Sequence, residues 1–495
     1  MSAAVATEWQ VVIGLEVHVQ LQTRSKLFCA APTPTGDAAA EGGPNAQLTP
    51  LCLGLPGALP RLNAEAVRLA VHAGLALNCE IAAVTQFARK CYLYQDLPKG
   101  YQTSQAEAPI CRGGAIVFER AGQLAELPLE RIHLEEDAGR SVHDADPDAT
   151  LVDLSRAGVP LIEIVSLPAL HDAADAVAAF SALRLELMHR GICDGALEQG
   201  SMRCDANVSV RPTGTTILRT RCEIKNLNSM RALRDAIVAE ARRQVAVYES
   251  GGQVTQETRL WDAQAHQTRP MRDKEHAADY RYAPDPDLPL LRVDRAFVAQ
   301  QRATLAASAS AVRHQLGSAG VEADAVGVLL EVPVLTQALL AAEIPEPLDL
   351  ARLCGFLVGP LLGQLRRDAR DLRAVVGLLP ALIPIAAAWR SGILSNQLLA
   401  EVLRNGMGGA EALSAHRLQR ALADVGSVEA DPAALASMAS AILAEFPREV
   451  AQYRAGKVQV LGFLVGQAMR RLAGRADARQ LGAALRGALD SEGPA

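Results

Sequence analysis

From Leu15 the chain alternates strictly: Leu15, Val17, Val19 and Leu21 are apolar, while Glu16, His18, Gln20 and Gln22 are polar. Successive side chains on a strand point to opposite faces. This period of two therefore predicts a strand with one face in a core and Glu16 and His18 side by side on the other. Residues 203–211 read the same way, with Arg203, Asp205, Asn207, Ser209 and Arg211 on one face, and Arg221, Glu223 and Lys225 repeat the pattern. Residues 159–165 are an apolar run interrupted by Glu163. One half-buried antiparallel sheet with a polar working face accounts for all these segments.

Helical signals lie between and after them. Asn63 reads as an N-cap, with Glu65 in the first turn of a helix that runs to about Asn78. Residues 172–189 have helical spacing, and a helix over 230–249 stops at Gly251-Gly252. From about Ala296 the chain turns rich in Ala, Leu and Arg with helical periodicity; Pro380 and Pro384 predict a break near 379–384, and Ser395 is a further N-cap candidate. The expected architecture is α+β: an antiparallel-sheet domain over 1–294, an all-α domain over 295–398 and a small all-α tail domain over 399–495.

Composition narrows the picture. The net charge of −6 gives no overall basic footprint, so any nucleic acid must be met by local charge. That charge is available in the tail, where Arg448, Arg454, Lys457, Arg470, Arg471, Arg475, Arg479 and Arg486 face only Glu445, Glu449 and Asp477 over residues 441–486. Such a surplus suits a phosphate backbone or a merely well-solvated helix face. Nine cysteines without a CxxC pair argue against a disulfide framework and for reduced thiols. No apolar run is expected to approach membrane-spanning length and the N-terminus lacks a signal pattern, which points to the cytoplasm.

Three places carry candidate chemistry. Glu135, Glu136 and Asp137 stand in a row after His133 and are closed by Gly139. Carboxylates that close repel unless they face water or share a cation. Glu163 in its apolar run needs a cation, a donor or a sheet edge, and Glu16 beside His18 is a plausible ligand pair or an exposed strand face. Lys90 and Lys99 flank a tyrosine-rich segment around a Pro-Lys-Gly turn; reaching one pocket, they would suit a polyphosphate.

Taken together, these segments resemble the family of B subunits of the glutamyl/aspartyl-tRNA amidotransferase. The resemblance rests on Ile13-Gly14-Leu15-Glu16-Val17-His18-Val19-Gln20-Leu21, Lys99-Gly100-Tyr101-Gln102, His133-Leu134-Glu135-Glu136-Asp137-Ala138-Gly139, Pro160-Leu161-Ile162-Glu163-Ile164-Val165 and Met202-Arg203-Cys204-Asp205-Ala206-Asn207. It continues through Glu223-Ile224-Lys225-Asn226-Leu227-Asn228-Ser229, Gln256-Glu257-Thr258-Arg259, Asp279-Tyr280-Arg281-Tyr282 and Gly462-Phe463-Leu464-Val465-Gly466-Gln467, in the family's order from about residue 9 to 487. It implies a cradle-shaped kinase domain that uses ATP to phosphorylate the side-chain carboxylate of Glu or Asp misacylated onto tRNA(Gln) or tRNA(Asn). Ammonia from a glutaminase A subunit then displaces the phosphate, and a small C subunit completes a heterotrimer. By resemblance His18, Glu136 and Glu163 are the catalytic Mg²⁺ ligands with Glu16 beside them, Lys90 and Lys99 meet the nucleotide, and Arg454, Lys457, Arg470 and Arg471 touch tRNA.

Two points pull against the family pattern. Strand parity through Arg131, His133 and Glu135 puts Glu135, not Glu136, on the polar face, and a bulge or strand end at Glu135 would be needed to reconcile them. Where some relatives carry a four-cysteine zinc site, only Cys29 and Cys52 remain, with Ala31 and Thr49 at the partner positions, so no zinc is expected. Gln95, Ser155, Ala283, Leu167, Ala169 and Arg140 are further departures. A non-catalytic tRNA-binding scaffold and a metal-dependent phosphohydrolase without tRNA are the competing readings.

Overall fold

The computed structural model describes residues 8–34, 43–142, 149–271, 280–346, 348–408, 413–425, 431–472, 476 and 478–491. Asp279, Arg475 and Asp477, which figure in the sequence reading, lie outside these. The chain divides into two compact units, Met1–Ala309 and Ser310–Ala495.

The first unit is built on a 13-stranded sheet. Its main strands are β1 (Trp9–Gln20), β2 (Ala88–Cys91), β3 (Tyr101–Ser104), β4 (Gln123–Glu136), β5 (Pro160–Ser166), β6 (Met202–Pro212), β7 (Cys222–Lys225), β8 (Thr258–Asp262), β9 (Gln267–Pro270) and β10 (Ala283–Pro284). The spatial order is β9-β8-β7-β6-β1-β5-β4-β3-β2-β10. Every pairing is antiparallel except β7 with β8, which is parallel. The longest strands lie at the centre, where both neighbours satisfy their backbone groups.

Alternation decides which face each side chain takes. Leu15, Val17 and Val19 of β1, Ile132 and Leu134 of β4, and Ile162 and Ile164 of β5 are all buried in one core. That core is closed by α1 (Ala64–Ala76), α2 (Ala173–His189) and α3 (Met230–Glu249). Each helix starts where a polar side chain accepts an orphan backbone N–H: Asn63 from Glu65, Asp172 from Ala174, Ser229 from Ala232. Asp172→Ala removes a 2.6 Å cap bond and should cost about 1 kcal/mol of stability, read as a lower urea midpoint with unchanged slope.

The segment after Tyr282 stays on the first unit. β10 pairs with β2, Leu291–Arg292 pairs with Val84–Thr85, and α4 (Arg295–Ala303) packs on α1, with Gln301 Oε1 3.0 Å from His72 Nε2.

The second unit is helical. Residues 372–390 correct two expectations from the sequence. Instead of a break near Pro380 and Pro384, an α-helix runs through both from Leu379 to Arg390, continuing a 3-10 segment over Leu372–Leu378. Pro380 falls in the first turn, where its missing N–H is an orphan anyway. The combined 19-residue stretch is also long and apolar enough to cross a membrane, contrary to the expectation that no run comes near that length. Leu372, Val375, Leu379, Leu382, Ile385 and Ala386 of this stretch are buried within the protein. Leu435, Ala439, Ile442, Leu464, Leu481 and Leu485 belong to a separate core of the last helices.

Candidate active site

Four adjacent strands, β6-β1-β5-β4, carry the polar face that the alternation predicts. Register fixes who meets whom. His18 lies opposite Arg203 on β6 and opposite Glu163 on β5, and Glu163 in turn lies opposite His133 on β4. Glu16 lies opposite Asp205. His18 Nε2 is 3.5 Å from Glu163 Oε2, 3.7 Å from Glu135 Oε1 and 4.0 Å from Glu16 Oε1. Candidate ligand atoms of His18, Glu135 and Glu163 all lie within 4.8 Å of one another, and so do those of Glu16, His18 and Asp205. His18, Glu16 and Glu163 are thus brought together from segments about 150 residues apart.

Glu136 is not brought to them. The β4–β5 register runs unbroken from Arg131 to Glu136, and its only shift is at Val165/Ser166. Without a bulge at Glu135, parity holds: His133 and Glu135 face the polar side and Glu136 points away. The Glu136 carboxylate instead bonds the Lys99 ammonium and accepts from Thr103 N at 2.9 Å. Lys99 is consequently also absent from the cleft, so the expectation of two lysines reaching one pocket gives way to Lys90 alone. Lys99 and Glu136 line a small separate cavity with Lys26, Cys29 and Cys52. There Cys29 and Cys52 sulfurs approach to 3.7 Å and the buried Lys26 ammonium lies 3.6 Å from Cys52 Sγ.

The cleft over the polar face has a volume of about 480 Å³. His18, Glu135, Lys90, Gln102, Asp205 and Lys225 are among its lining residues. Lys90 Nζ sits 4.7 Å from the centre of the Tyr280 ring. Sequence reasoning placed Arg203, Asp205 and Lys225 on this face but not in the site; Tyr92, Gln102 and Asn228, which also line it, were missed. Asp137 anchors the rim: Gln20 donates to it at 2.7 Å and Arg203 at 3.1 Å. Gly139 must be glycine because a Cβ there would lie 2.9 Å from Asp153 O and 3.1 Å from Asp96 O.

The electrostatics follow from crowding of acids around one imidazole. Burial and the nearby Glu163 push the Glu16 carboxyl up to about 7. For Glu163 burial works upward, but the charges of His18, His133 and Arg131 outweigh it and hold it at about 2. For His18 burial works downward, yet Glu163 and Glu135 lift it to about 9. Buried oxygen and imidazole donors with surplus negative charge fit a divalent cation, which would relieve the repulsion among Glu16, Glu135 and Glu163.

In the tail, Arg454, Lys457, Arg470 and Arg471 are all exposed, on the helices Pro447–Arg454 and Val460–Arg471 and the turn between them. Arg471 pairs with Glu445 at 3.1 Å.

Comparison with known proteins adds two family matches. Residues 11–299 match the model of the GatB/GatE catalytic domain, and residues 349–489 match that of the GatB domain. Among similar curated proteins, the B subunit of the aspartyl/glutamyl-tRNA(Asn/Gln) amidotransferase of Anaeromyxobacter sp. (strain Fw109-5) is 45% identical over 97% of this chain and 98% of its own length. Those of Myxococcus xanthus (strain DK1622) and Burkholderia multivorans (strain ATCC 17616 / 249) are 43% and 41% identical, over 95% and 96% of this chain and 96% and 98% of their own lengths.

Proposed function

The chain belongs to the GatB/GatE family of tRNA amidotransferase B subunits, and from that premise we propose how its polar sheet face serves the reaction. It is the B subunit of a multi-subunit, glutamine-hydrolysing amidotransferase that amidates misacylated Glu- or Asp-tRNA with the use of ATP. A carboxylate is a poor electrophile because oxide is a bad leaving group. Transfer of the γ-phosphoryl group of ATP to the side-chain carboxylate of the esterified Glu or Asp makes an acyl phosphate and ADP. Ammonia then attacks the carbonyl, phosphate departs, and the amide of Gln-tRNA(Gln) or Asn-tRNA(Asn) remains.

The observation that carries this reading is the convergence of His18, Glu135 and Glu163 from three neighbouring strands, with His18 and Glu135 lining one cleft together with Lys90. In our reading the first unit is the cradle-shaped kinase domain. His18, Glu135 and Glu163 hold Mg²⁺ or a similar divalent ion, with Glu16 beside them. When bound, that ion neutralises phosphate charge during phosphoryl transfer. Lys90 meets the nucleotide phosphates. Lys99 positions Glu136 and the turn before β3 rather than entering the cleft. In the second unit we divide the chain at about 398, with the tail's Arg454, Lys457, Arg470 and Arg471 tracking the tRNA backbone. The partners are the glutaminase A subunit and a small C subunit, in the cytoplasm.

A reconstituted assay with both misacylated tRNAs, reading ATP consumption and amide formation separately, tests this. ATP turnover that requires misacylated tRNA is expected. Turnover indifferent to tRNA would favour a phosphohydrolase, and tRNA binding without turnover would favour a scaffold. Within the same assay, Lys90→Met keeps the stem that packs on Tyr280 and removes the charge. It should raise KM for ATP about ten-fold, the scale of one hydrogen bond to a charged group.

A further inference from the structure

We infer that His133 is a ligand of the same cation, and that the completed set of two imidazoles and two carboxylates prefers a first-row transition ion such as Mn²⁺ to Mg²⁺. This rests on the cation site proposed above.

His133 sits in the middle of β4, directly opposite Glu163, which is directly opposite His18. The two imidazoles therefore flank one carboxylate in a row across three strands and on one face. Adjacent strands are about 4.8 Å apart, and each ring approaches Glu163 Oε2 from its own side; the set already within 4.8 Å is His18, Glu135 and Glu163, which His133 joins by a side-chain adjustment. The distances are nearly symmetric. His133 Nε2 is 3.5 Å from Glu135 Oε2 and 3.5 Å from Glu163 Oε2, and His18 Nε2 is 3.7 Å from Glu135 Oε1 and 3.5 Å from Glu163 Oε2.

Burial makes His133 the informative member. It is 1% exposed, and among the described residues neither ring nitrogen has a hydrogen-bond partner. A buried polar group without a partner is costly. A simple ion pair with the two carboxylates is the plainer account. Yet charge-assisted N–H···O bonds close to about 2.7–2.9 Å, whereas these contacts stand at 3.5 Å. Donor atoms bound at about 2.1 Å to one ion lie about 3.0 Å apart on neighbouring octahedral corners and about 3.4 Å apart on a tetrahedron. The observed spacing suits shared coordination better than direct bonding. Magnesium takes oxygen almost exclusively, while imidazole suits manganese and the later ions. One histidine in the set weakens the case for magnesium, and two reverse it.

The experiment uses the full chain, stripped with chelator and loaded with one equivalent of Mn²⁺. Electron spin echo spectra should show two inequivalent histidine ¹⁴N couplings in the wild type, one in His133→Gln and one in His18→Gln. Titration of His133→Gln should show Mn²⁺ binding weakened about ten-fold or more, with Mg²⁺ binding weakened less. A single nitrogen in the wild type, or a His133→Gln protein with the wild-type spectrum and affinity, overturns the inference. If His133→Gln fails to fold, the wild-type spectrum alone decides. Glu163→Gln separates the two levels: Mn²⁺ binding undiminished in that variant sinks the cation site itself, whereas binding lost there but retained in His133→Gln sinks only the assignment of His133.

Discussion

Glu163→Gln should lower misacylated-tRNA-dependent ATP turnover by roughly 10²–10³-fold, the scale seen when one preorganised electrostatic partner is removed from a site. Glutamine keeps the volume of the side chain in the apolar run of β5 and keeps a carbonyl toward His18. What it removes is a carboxylate held at about 2 by His18, His133 and Arg131 despite its burial. Glu16 is a poor replacement, because burial, the larger cause of its raised value, persists when Glu163 is gone. The measurement is single-turnover ATP cleavage in the reconstituted complex, with tRNA affinity as a second readout. Binding of tRNA should persist, since in the proposed reading it rests on the exposed tail arginines, which are untouched. A loss smaller than about ten-fold would remove Glu163 from the reaction.

The same cluster shows where sequence reasoning ends. Glu163 stood out only as a charge in an apolar run, whereas alternation in β1 and β6 put Glu16, His18 and Asp205 on polar faces, because side-chain direction is a local property of an extended backbone. It could not say that β1 lies between β6 and β5, or that β4 lies beyond β5. Strand order is set by contacts between segments far apart in the chain, and no period encodes it. Parity also decided between two adjacent glutamates. Family resemblance favoured Glu136, whereas the unbroken register of β4 sends Glu135 to the cleft and Glu136 to Lys99. Lys90 and Lys99 look equivalent in the sequence. They part because Lys90 lies in the strand β2 while Lys99 precedes β3 at a turn, where no alternation fixes its direction. Pro380 and Pro384 misled in the opposite sense. Pro380 sits in the first turn, where its N–H was not needed, and packing in the second unit carries the helix through Pro384 at the loss of one backbone bond.

Removing the carboxylate of Glu240 should destabilise the first unit by about 3 kcal/mol, the low end for breaking a buried ion pair, because Arg259 keeps a second carboxylate. Glu240 projects from α3 with no exposed surface and ties that helix to the far edge of the sheet. It accepts from Arg243 at 2.6 Å, Gln244 at 2.8 Å and Thr268 at 2.7 Å, and Arg259 of β8 lies 3.2 Å away and is itself buried. Burial alone would favour the neutral acid, but the bonds from Arg243, Gln244 and Thr268 outweigh it and hold the carboxyl below its usual range. A depressed folded-state value means that the stabilisation is complete above the ordinary carboxylate range and is lost only as pH falls through the folded value. In Glu240→Ala the Arg259 guanidinium stays in the core and keeps Glu257 and the Thr268 hydroxyl and carbonyl, but it loses the buried one of its two carboxylates. The denaturation midpoint should fall, followed through Trp261, which is buried two residues from Arg259 on β8. The double variant Glu240→Leu/Arg259→Met should recover most of the loss, because a matched apolar pair leaves no charge to solvate. If the double variant is no more stable than Glu240→Ala, the Arg259 charge that has lost its buried carboxylate is not what the single change exposes.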